Sequence, residues 1–583
     1  MNSLYTLVPY LRRHRSTLLL GIGSILITAA LQMASPWVLK LAVDGLESSI
    51  THERLALYAG LIVVLAAVAG VFRFFMRRLM IGTSREIEYE LRRDFFAHLT
   101  RLSYSFFSRT ATGDLMARAT NDLNAVRMVL GPGVMYSVNT AITLSAALTL
   151  MLLLSWKLTL LSLLPMPLIS LFMYKYGQVI HKRFEAVQEQ FAAITSRAQE
   201  YLAGIRVVKA YAGEESAKKT FHSRNTEYLH RYMKLVRING LMHPAIRFLA
   251  GTATILVLTF GGAMVIDESI SLGTFVAFFA YLNMLIWPMI ALGWVVSIFQ
   301  RGAASMKRIN HILDTEPEVA DPVVITEDDG TAPGTLAFHE VTFTYPNRPD
   351  APVLRGIDLR IRPGETLGIA GRTGSGKTTL VNLIPRLFDP TAGRVTLGGH
   401  DLRELSLDRL RSRIGYVPQE AFLFSRSLAG NIAFGKPGAA QHEIEQAAGL
   451  ARLTEEIDRF PNGYDTLVGE RGVTLSGGQK QRTAIARALL RNPEILILDD
   501  ALASVDTRTE EAILSGLRGF MERRTTLLVA HRVSTLRLAD RIIVLDSGRI
   551  SEEGTHEELL ALGGAYAELA RMQQLQDELE ASV

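Results

Sequence analysis

Eight consecutive residues carry the strongest chemical signal in the chain. Gly371, Arg372, Thr373, Gly374, Ser375, Gly376, Lys377 and Thr378 fit the spacing G-x-x-x-x-G-K-[ST]. The run 365–370 before them reads as a strand, and Thr379–Leu387 after them as a helix. In that setting the glycines let backbone N–H groups wrap phosphates, and the helix N-terminus adds a favourable field. Lys377 places a point charge on the outer phosphates of ATP, and the Thr378 hydroxyl can ligate Mg²⁺. A second signal is 494–500, an apolar strand that ends in Asp499 and Asp500. One carboxylate there can hold Mg²⁺ and its neighbour can orient an attacking water. A third is Leu475-Ser476-Gly477-Gly478-Gln479, just ahead of a helical stretch, 480–490. Two glycines and a hydroxyl at a helix start make another phosphate-binding end. One ATP site uses a single such end beyond the first loop, so the spare one predicts action across a dimer interface.

These residues need a scaffold. From about Leu336 to Met572 short apolar strands alternate with helical stretches, which predicts an α/β domain. Ahead of it, Thr315–Gly334 is rich in Pro, Gly and acids and reads as a linker. The expected organisation is a membrane domain over 1–314, a linker over 315–335, and a nucleotide-binding domain over 336–583 with a helical tail. The membrane assignment rests on six apolar segments: 18–43, 55–72, 129–154, 158–174, 248–266 and 272–299. Only the first contains a charged residue, Lys40, and a span needs about 20 mostly apolar residues.

Composition agrees. The chain has 583 residues, is 48% hydrophobic and has a mean hydropathy of +0.19, which argues against an ordinary soluble enzyme and against disorder. The absence of Cys excludes disulfides, Cys-ligated zinc, iron–sulfur clusters and a thiol nucleophile. The first span is too long for the apolar core of a cleavable signal. The net charge of +5 fits basic loops on the inner face of a membrane. Eleven Lys and Arg fall in 182–237 and seven Arg in 85–127, whereas 44–54 has three acids and one Arg. The N-terminus and both long connectors are therefore predicted to be cytoplasmic. Both connectors are helical in pattern and are broken near Gly113 and Gly213, so each can turn back toward the membrane. Inside the spans, Lys40 is four residues before Asp44, as in an i,i+4 pair. Asn139, Asn283, Trp287 and Pro288 either line a cavity or serve helix packing and a kink.

The two phosphate-binding signals and six spans together resemble a half-transporter of the ATP-binding cassette exporter family, over essentially the whole chain. The resemblance implies a six-helix membrane domain fused to a soluble α/β P-loop domain, working as a dimer with ATP and Mg²⁺. It implies that Tyr345 stacks on adenine and that Gly371 to Thr379 cradle the phosphates. Thr378, Asp499 and the loop residue Gln419 would hold the metal. Asp500, His531 and Gln419 would be catalytic, and Ser476, Gly477, Gly478 and Gln479 would be the signature that meets the partner's ATP. Ala503–Asp506 would cross the dimer interface, Glu470–Gly472 would meet the coupling helices, and the two turned loops would be those helices.

One departure matters. The family usually has Glu where this chain has Asp500. Asp is shorter by one methylene, which withdraws the carboxylate by about 1 Å, and a misplacement of that size can cost about 100-fold in rate. The expectation is a site that binds Mg·ATP well and hydrolyses it slowly, beside an intact signature. That pattern, and the stretch from Trp287 to Gly302, resemble the degenerate-site half of bacterial heterodimeric multidrug exporters. The expected partner is a different half-transporter with Glu at this position. The alternatives are a homodimeric drug or lipid exporter and an ATP-binding regulatory subunit. Six spans argue against soluble cassette proteins of nucleic-acid repair or translation, and no nucleic-acid partner is expected. Fusion of spans and cassette disfavours an importer. The expected location is the cytoplasmic membrane, with the cassette inside, and the apolar, aromatic lining suits amphipathic drugs, lipids or hydrophobic peptides.

Overall fold

The structure is a computed structural model that describes residues 2–47, 50–322, 334–469, 472–505 and 507–581. The middle of the expected linker (323–333), Glu470, Arg471 and Asp506 lie outside the described residues. Two compact units are present, Met1–Ala97 with Met116–Asp314, and His98–Leu115 with Thr315–Val583.

The first unit is helical. Among the described residues it draws on six long rods: Arg15–Glu47, His52–Arg101, Thr112–Leu154, Trp156–Leu163 followed by Met166–Ala203, Glu214–Leu256 followed by Gly262–Ile266, and Leu272–Leu313. At 1.5 Å per residue, the longest rod far exceeds one bilayer core. By length and composition alone, four helices among the described residues suffice to cross a membrane, against the six spans read from sequence. The other two apolar runs are interrupted. The run 158–174 breaks at Leu164–Pro165, where the proline ring removes a backbone donor. The run 248–266 yields a shorter apolar helix, Gly251–Ile266, with a wide π turn at Val257–Gly261.

Specific polar contacts fix this unit. Tyr281 is fully buried and donates its hydroxyl to the Met33 carbonyl at 2.7 Å, which ties the last rod to the first. Lys40 pairs with Asp44 at 3.2 Å, as its spacing predicts. Asp44 also accepts the Gly273 N–H at 2.8 Å. Glycine is required there, since a Cβ would stand 2.2 Å from the Lys40 carbonyl oxygen. Buried Glu88 holds Arg92 at 2.7 Å and Arg85 at 3.1 Å.

The second unit contains two sheets. Strands β1 (Leu336–Phe343), β2 (Leu354–Ile361), β4 (Ala392–Leu397) and β5 (His400–Asp401) form an antiparallel sheet ordered β2-β1-β4-β5. Strands β3 (Thr366–Gly371), β6 (Ile414–Val417), β7 (Ile495–Asp499), β8 (Thr525–Val529), β9 (Arg541–Asp546) and β10 (Arg549–Gly554) form the other, ordered β10-β9-β3-β8-β7-β6. Its pairings are parallel except at the β10 edge. β7 and β8 are buried along their whole length, as the continuous apolar runs of a covered parallel sheet require. A second core gathers the helix residues Ile485, Ala486, Ile513 and Leu517 against Val417, Leu496, Leu498 and Leu528, on the opposite face of β6, β7 and β8 from Ile495, Ile497, Leu527 and Val529.

The first turned loop belongs to this unit. Its short helix, Tyr104–Arg109, sets the Tyr104 ring edge-on to Phe388 at 5.5 Å. Ser103 accepts the Val319 N–H at 2.7 Å, and Arg109 pairs with Glu318. The second turned loop carries the helix Ile205–Ala210 and exposes Val207 and Tyr211, the latter 83% accessible.

The Gly273 contact gives a direct stability test. Gly273→Val should destabilise the membrane unit by about 2 kcal/mol through overpacking, seen as a lower melting temperature in detergent. Gly293→Ala, on the same rod with open space at its Cβ position, should leave that temperature unchanged or raise it.

Candidate nucleotide-binding site

The strand register assembles the site. Ile369 on β3 lies level with Val529 on β8, and Val529 lies level with Asp499 on β7. Gly371, His531 and Asp500 follow within two residues of that line. They therefore emerge together at the carboxyl ends of three adjacent parallel strands, where open α/β sheets bind ligands.

The loop after β3 has the conformation that its glycines permit. Gly371, Gly374 and Gly376 have φ of 145°, 83° and 106°. At Gly371 a Cβ would stand 2.3 Å from the Leu545 carbonyl oxygen. Gly376 caps the helix Lys377–Asn382, so N–H groups at its start point into the loop. Lys377 is buried and donates to the carbonyls of Gly371 at 2.8 Å and Arg372 at 3.0 Å. Burial lowers its pKa, against the opposing charges of Asp500 and Asp499.

Asp499 provides the fit test for a cation. It is 1% exposed and receives the Thr378 hydroxyl on Oδ1 at 3.2 Å. Its Oδ2 is buried without a hydrogen-bond partner, and so is Ser375 Oγ. A buried carboxylate oxygen with no donor is costly unless a ligand completes it. Burial pushes this carboxyl up to about 6, with the Asp500 charge adding and the Thr378 hydrogen bond opposing. Among the described residues no group of three or more His, Cys, Asp or Glu converges. One carboxylate plus a hydroxyl matches Mg²⁺, which keeps waters and phosphate oxygens as its other ligands. The residues present fit Mg²⁺ bound together with ATP.

Asp500 is held in a left-handed conformation, φ 47°, one that Asp adopts more readily than most residues. Its N–H donates to the Val529 carbonyl at 2.9 Å, and its Oδ2 lies 3.5 Å from Gln419 Nε2. Asp500 and His531 line one cavity of about 180 Å³. Tyr345 sits beside the loop, with its hydroxyl 2.9 Å from Thr379 Oγ1 and its ring edge-on to Phe343 and Phe388.

Two supports have no motif in the sequence. Gln573, in the C-terminal helix, donates to the His531 carbonyl and accepts the Val533 N–H at 2.8 Å. Its amide thus clamps the backbone on both sides of Arg532. Buried Glu510 binds Arg532 and Thr535 beneath the same loop. Only a three-dimensional contact reveals either.

The signature stands apart. Ser476 caps the helix Gly477–Leu490 and forms a reciprocal capping box with Gln479. Leu475 packs in the core on one face of the six-stranded sheet, whereas Leu380 and Val381 behind the phosphate loop pack in the core on its other face. No hydrogen bond among the described residues links the signature to the phosphate loop of its own chain. Ser504 is drawn to this helix by its N–H bond to Gln481 at 2.9 Å.

A membrane helix unit and a P-loop cassette on one chain define an ATP-driven membrane transporter. Residues 18–289 match the family described as ABC transporter transmembrane region, and 354–503 match that described as ABC transporter. The chain is 41% identical over 578 residues to the multidrug resistance-like ATP-binding protein MdlA of Escherichia coli (strain K12), covering 98% of this chain and 96% of that one. It is 40% identical over 558 residues to a probable multidrug resistance ABC transporter ATP-binding/permease protein, YheI, of Bacillus subtilis (strain 168), covering 95% of each. A solved structure of a bacterial Atm1-family ABC exporter with ATP bound superposes with a TM-score of 0.79 at 30% identity, over 97% of this chain and 98% of that one. The chain belongs to the ABC transporter family and has the type I exporter fold, with membrane domain and cassette fused. It is a membrane-spanning protein whose cassette is cytoplasmic.

Lys377→Ala should weaken Mg·ATP binding by at least about 100-fold, since a buried charge-assisted contact is worth about 3 kcal/mol. A fluorescent-nucleotide titration, with circular dichroism as the fold control, reads this. Thr378→Ala should still bind ATP, but added Mg²⁺ should no longer tighten it.

Proposed function

We propose that this chain is one half of a heterodimeric exporter that moves amphipathic or hydrophobic compounds across the cytoplasmic membrane. It would carry a weakly hydrolytic ATP site and complete its partner's site with an intact signature. The observation that carries this is the pairing of a full nucleotide cradle with the short Asp500 side chain, whose Oδ2 only just reaches Gln419, at 3.5 Å. The two relatives described above are named as a probable multidrug resistance transporter and a multidrug resistance-like protein, which supports the compound class.

The proposed roles are those that the family resemblance implies, and the placement of these residues around the loop supports them. Lys377 and the 371–376 backbone hold the phosphates, and Tyr345 flanks the base. Thr378, Asp499 and Gln419 would hold Mg²⁺, which neutralises phosphate charge. Asp500 orients the attacking water and accepts its proton, and His531 contacts the terminal phosphate. In the dimer, Ser476 to Gln479 meet the nucleotide of the other chain. Closure of the two cassettes on ATP pulls on the helices that carry Tyr104–Arg109 and Ile205–Ala210, and so turns the cavity outward. The exposed Val207 and Tyr211 suit contact with the second cassette.

A homodimeric exporter is the second reading. The favouring observation is that Asp500, Gln419 and His531 all stand at the site, so that catalysis at reduced rate is open to this chain.

Affinity purification from the native membrane separates the readings. The expected result is a 1:1 complex with a second cassette chain that has Glu after its acidic strand. Recovery of this chain alone, as a dimer that pumps amphipathic dye in inside-out vesicles, would overturn the heterodimer.

A further inference from the structure

The membrane unit contains an open cavity of about 640 Å³, lined by residues from four of its rods. Its lining includes Trp287, Tyr136, Gln32 and Asn139, and two arginines, Arg73 and Arg77. Asn283, the other asparagine singled out from sequence, does not line it. No Asp, Glu or Lys lines it either.

The arginines are unusual in their setting. They follow the charge-free run 55–72 directly, so they stand at the inner edge of the hydrocarbon. Spaced i,i+4, they share one face, where two like charges repel. Further along the same helix Arg85 and Arg92 pair with Glu88, and Arg93 pairs with Asp94. Among the described residues no carboxylate pairs with Arg73 or Arg77. Arg78, next to them in sequence, does not line the cavity. Snorkelling to the membrane surface accounts for an arginine on the lipid face. It does not account for two on the cavity face beside an indole and two amides. A charge at the membrane boundary that faces a cavity without a partner is a candidate ligand contact, and adjacent guanidinium forks suit a phosphate or carboxylate.

We propose that this cavity is an anion-recognising subsite, in which Arg73 and Arg77 bind the phosphate or carboxylate head of an amphiphile while its apolar part lies along Trp287 and Tyr136. The inference deepens the exporter reading and rests on it for the transport step. Two sources share the chemistry: a transported anionic amphiphile and an anionic lipid of the surrounding bilayer.

The test uses the full transporter in nanodiscs of zwitterionic lipid, with lysophosphatidic acid and lysophosphatidylcholine as probes and tryptophan fluorescence as readout. The expected result is a preference of at least about 10-fold for the anionic probe, from two charge-assisted contacts. Arg73→Gln with Arg77→Gln should remove the preference yet still bind the zwitterionic probe, which shows an intact cavity. Arg73→Lys with Arg77→Lys should restore much of it. Equal binding of both probes by the unmodified protein, or a preference that survives the Gln pair, would overturn the proposal. Loss of both probes from the Gln and Lys pairs alike would do the same.

The sources separate in inside-out vesicles. ATP-driven uptake of lysophosphatidic acid marks a transported ligand. Anion preference without uptake, weakened as phosphatidylglycerol is raised, marks a bilayer lipid. Anion preference with no ATP-driven uptake of any probe would leave the subsite standing and sink the exporter reading. ATP-driven uptake of a neutral dye with no charge preference would do the reverse.

Discussion

The register of three parallel strands is the constraint on which the site depends. Ile369, Val529 and Asp499 lie level across β3, β8 and β7. That line places the glycine-rich loop, His531 and the acidic pair together at the carboxyl ends of these strands. It also buries a lysine and a carboxylate where neither is fully satisfied by the protein. Lys377 spends its ammonium on two loop carbonyls, and Asp499 leaves one oxygen bare. Burial costs each group hydration, and a bound polyphosphate with its cation offsets both costs together. Nucleotide affinity is thus built into the packing of the sheet.

The same fold keeps the second phosphate-binding end away. The signature helix is anchored in a different hydrophobic core, and its capping box is closed within itself. In the proposed dimer, one chain's loop and the other's helix end would together enclose the phosphates. The first turned loop folds as part of the cassette's own unit. It rests on the cassette through Tyr104 and Phe388, and the second loop ends in exposed apolar residues.

Much of the cassette was legible in the sequence because its chemistry is local. The glycines at 371, 374 and 376, the acid pair and the Ser476 cap each act within a few residues of chain, and each is found in the conformation its type predicts. Strand order was not legible, since β3 pairs with β8 and β9 far along the chain. Gln573 and Glu510 escaped for the same reason, because an amide or acid in a helix has no local signal for the loop it will hold. In the membrane unit, hydropathy located all six rods but gave no sign of the break at Leu164–Pro165 or of the wide turn at Val257–Gly261, because both are backbone events inside apolar runs. Arg73 and Arg77 carry no local signal that separates them from other basic residues past a span, and only the cavity gives them a shared direction.

The account turns on whether one missing methylene at position 500 sets the turnover of this site. The most direct measurement is the ATPase rate of the chain purified alone in lipid nanodiscs, with and without Asp500→Glu. The account predicts tight Mg·ATP binding with near-zero turnover for the unmodified chain and a rise of about 100-fold for the variant. Robust turnover by the unmodified chain, little changed by Asp500→Glu, would contradict it and establish a working homodimer.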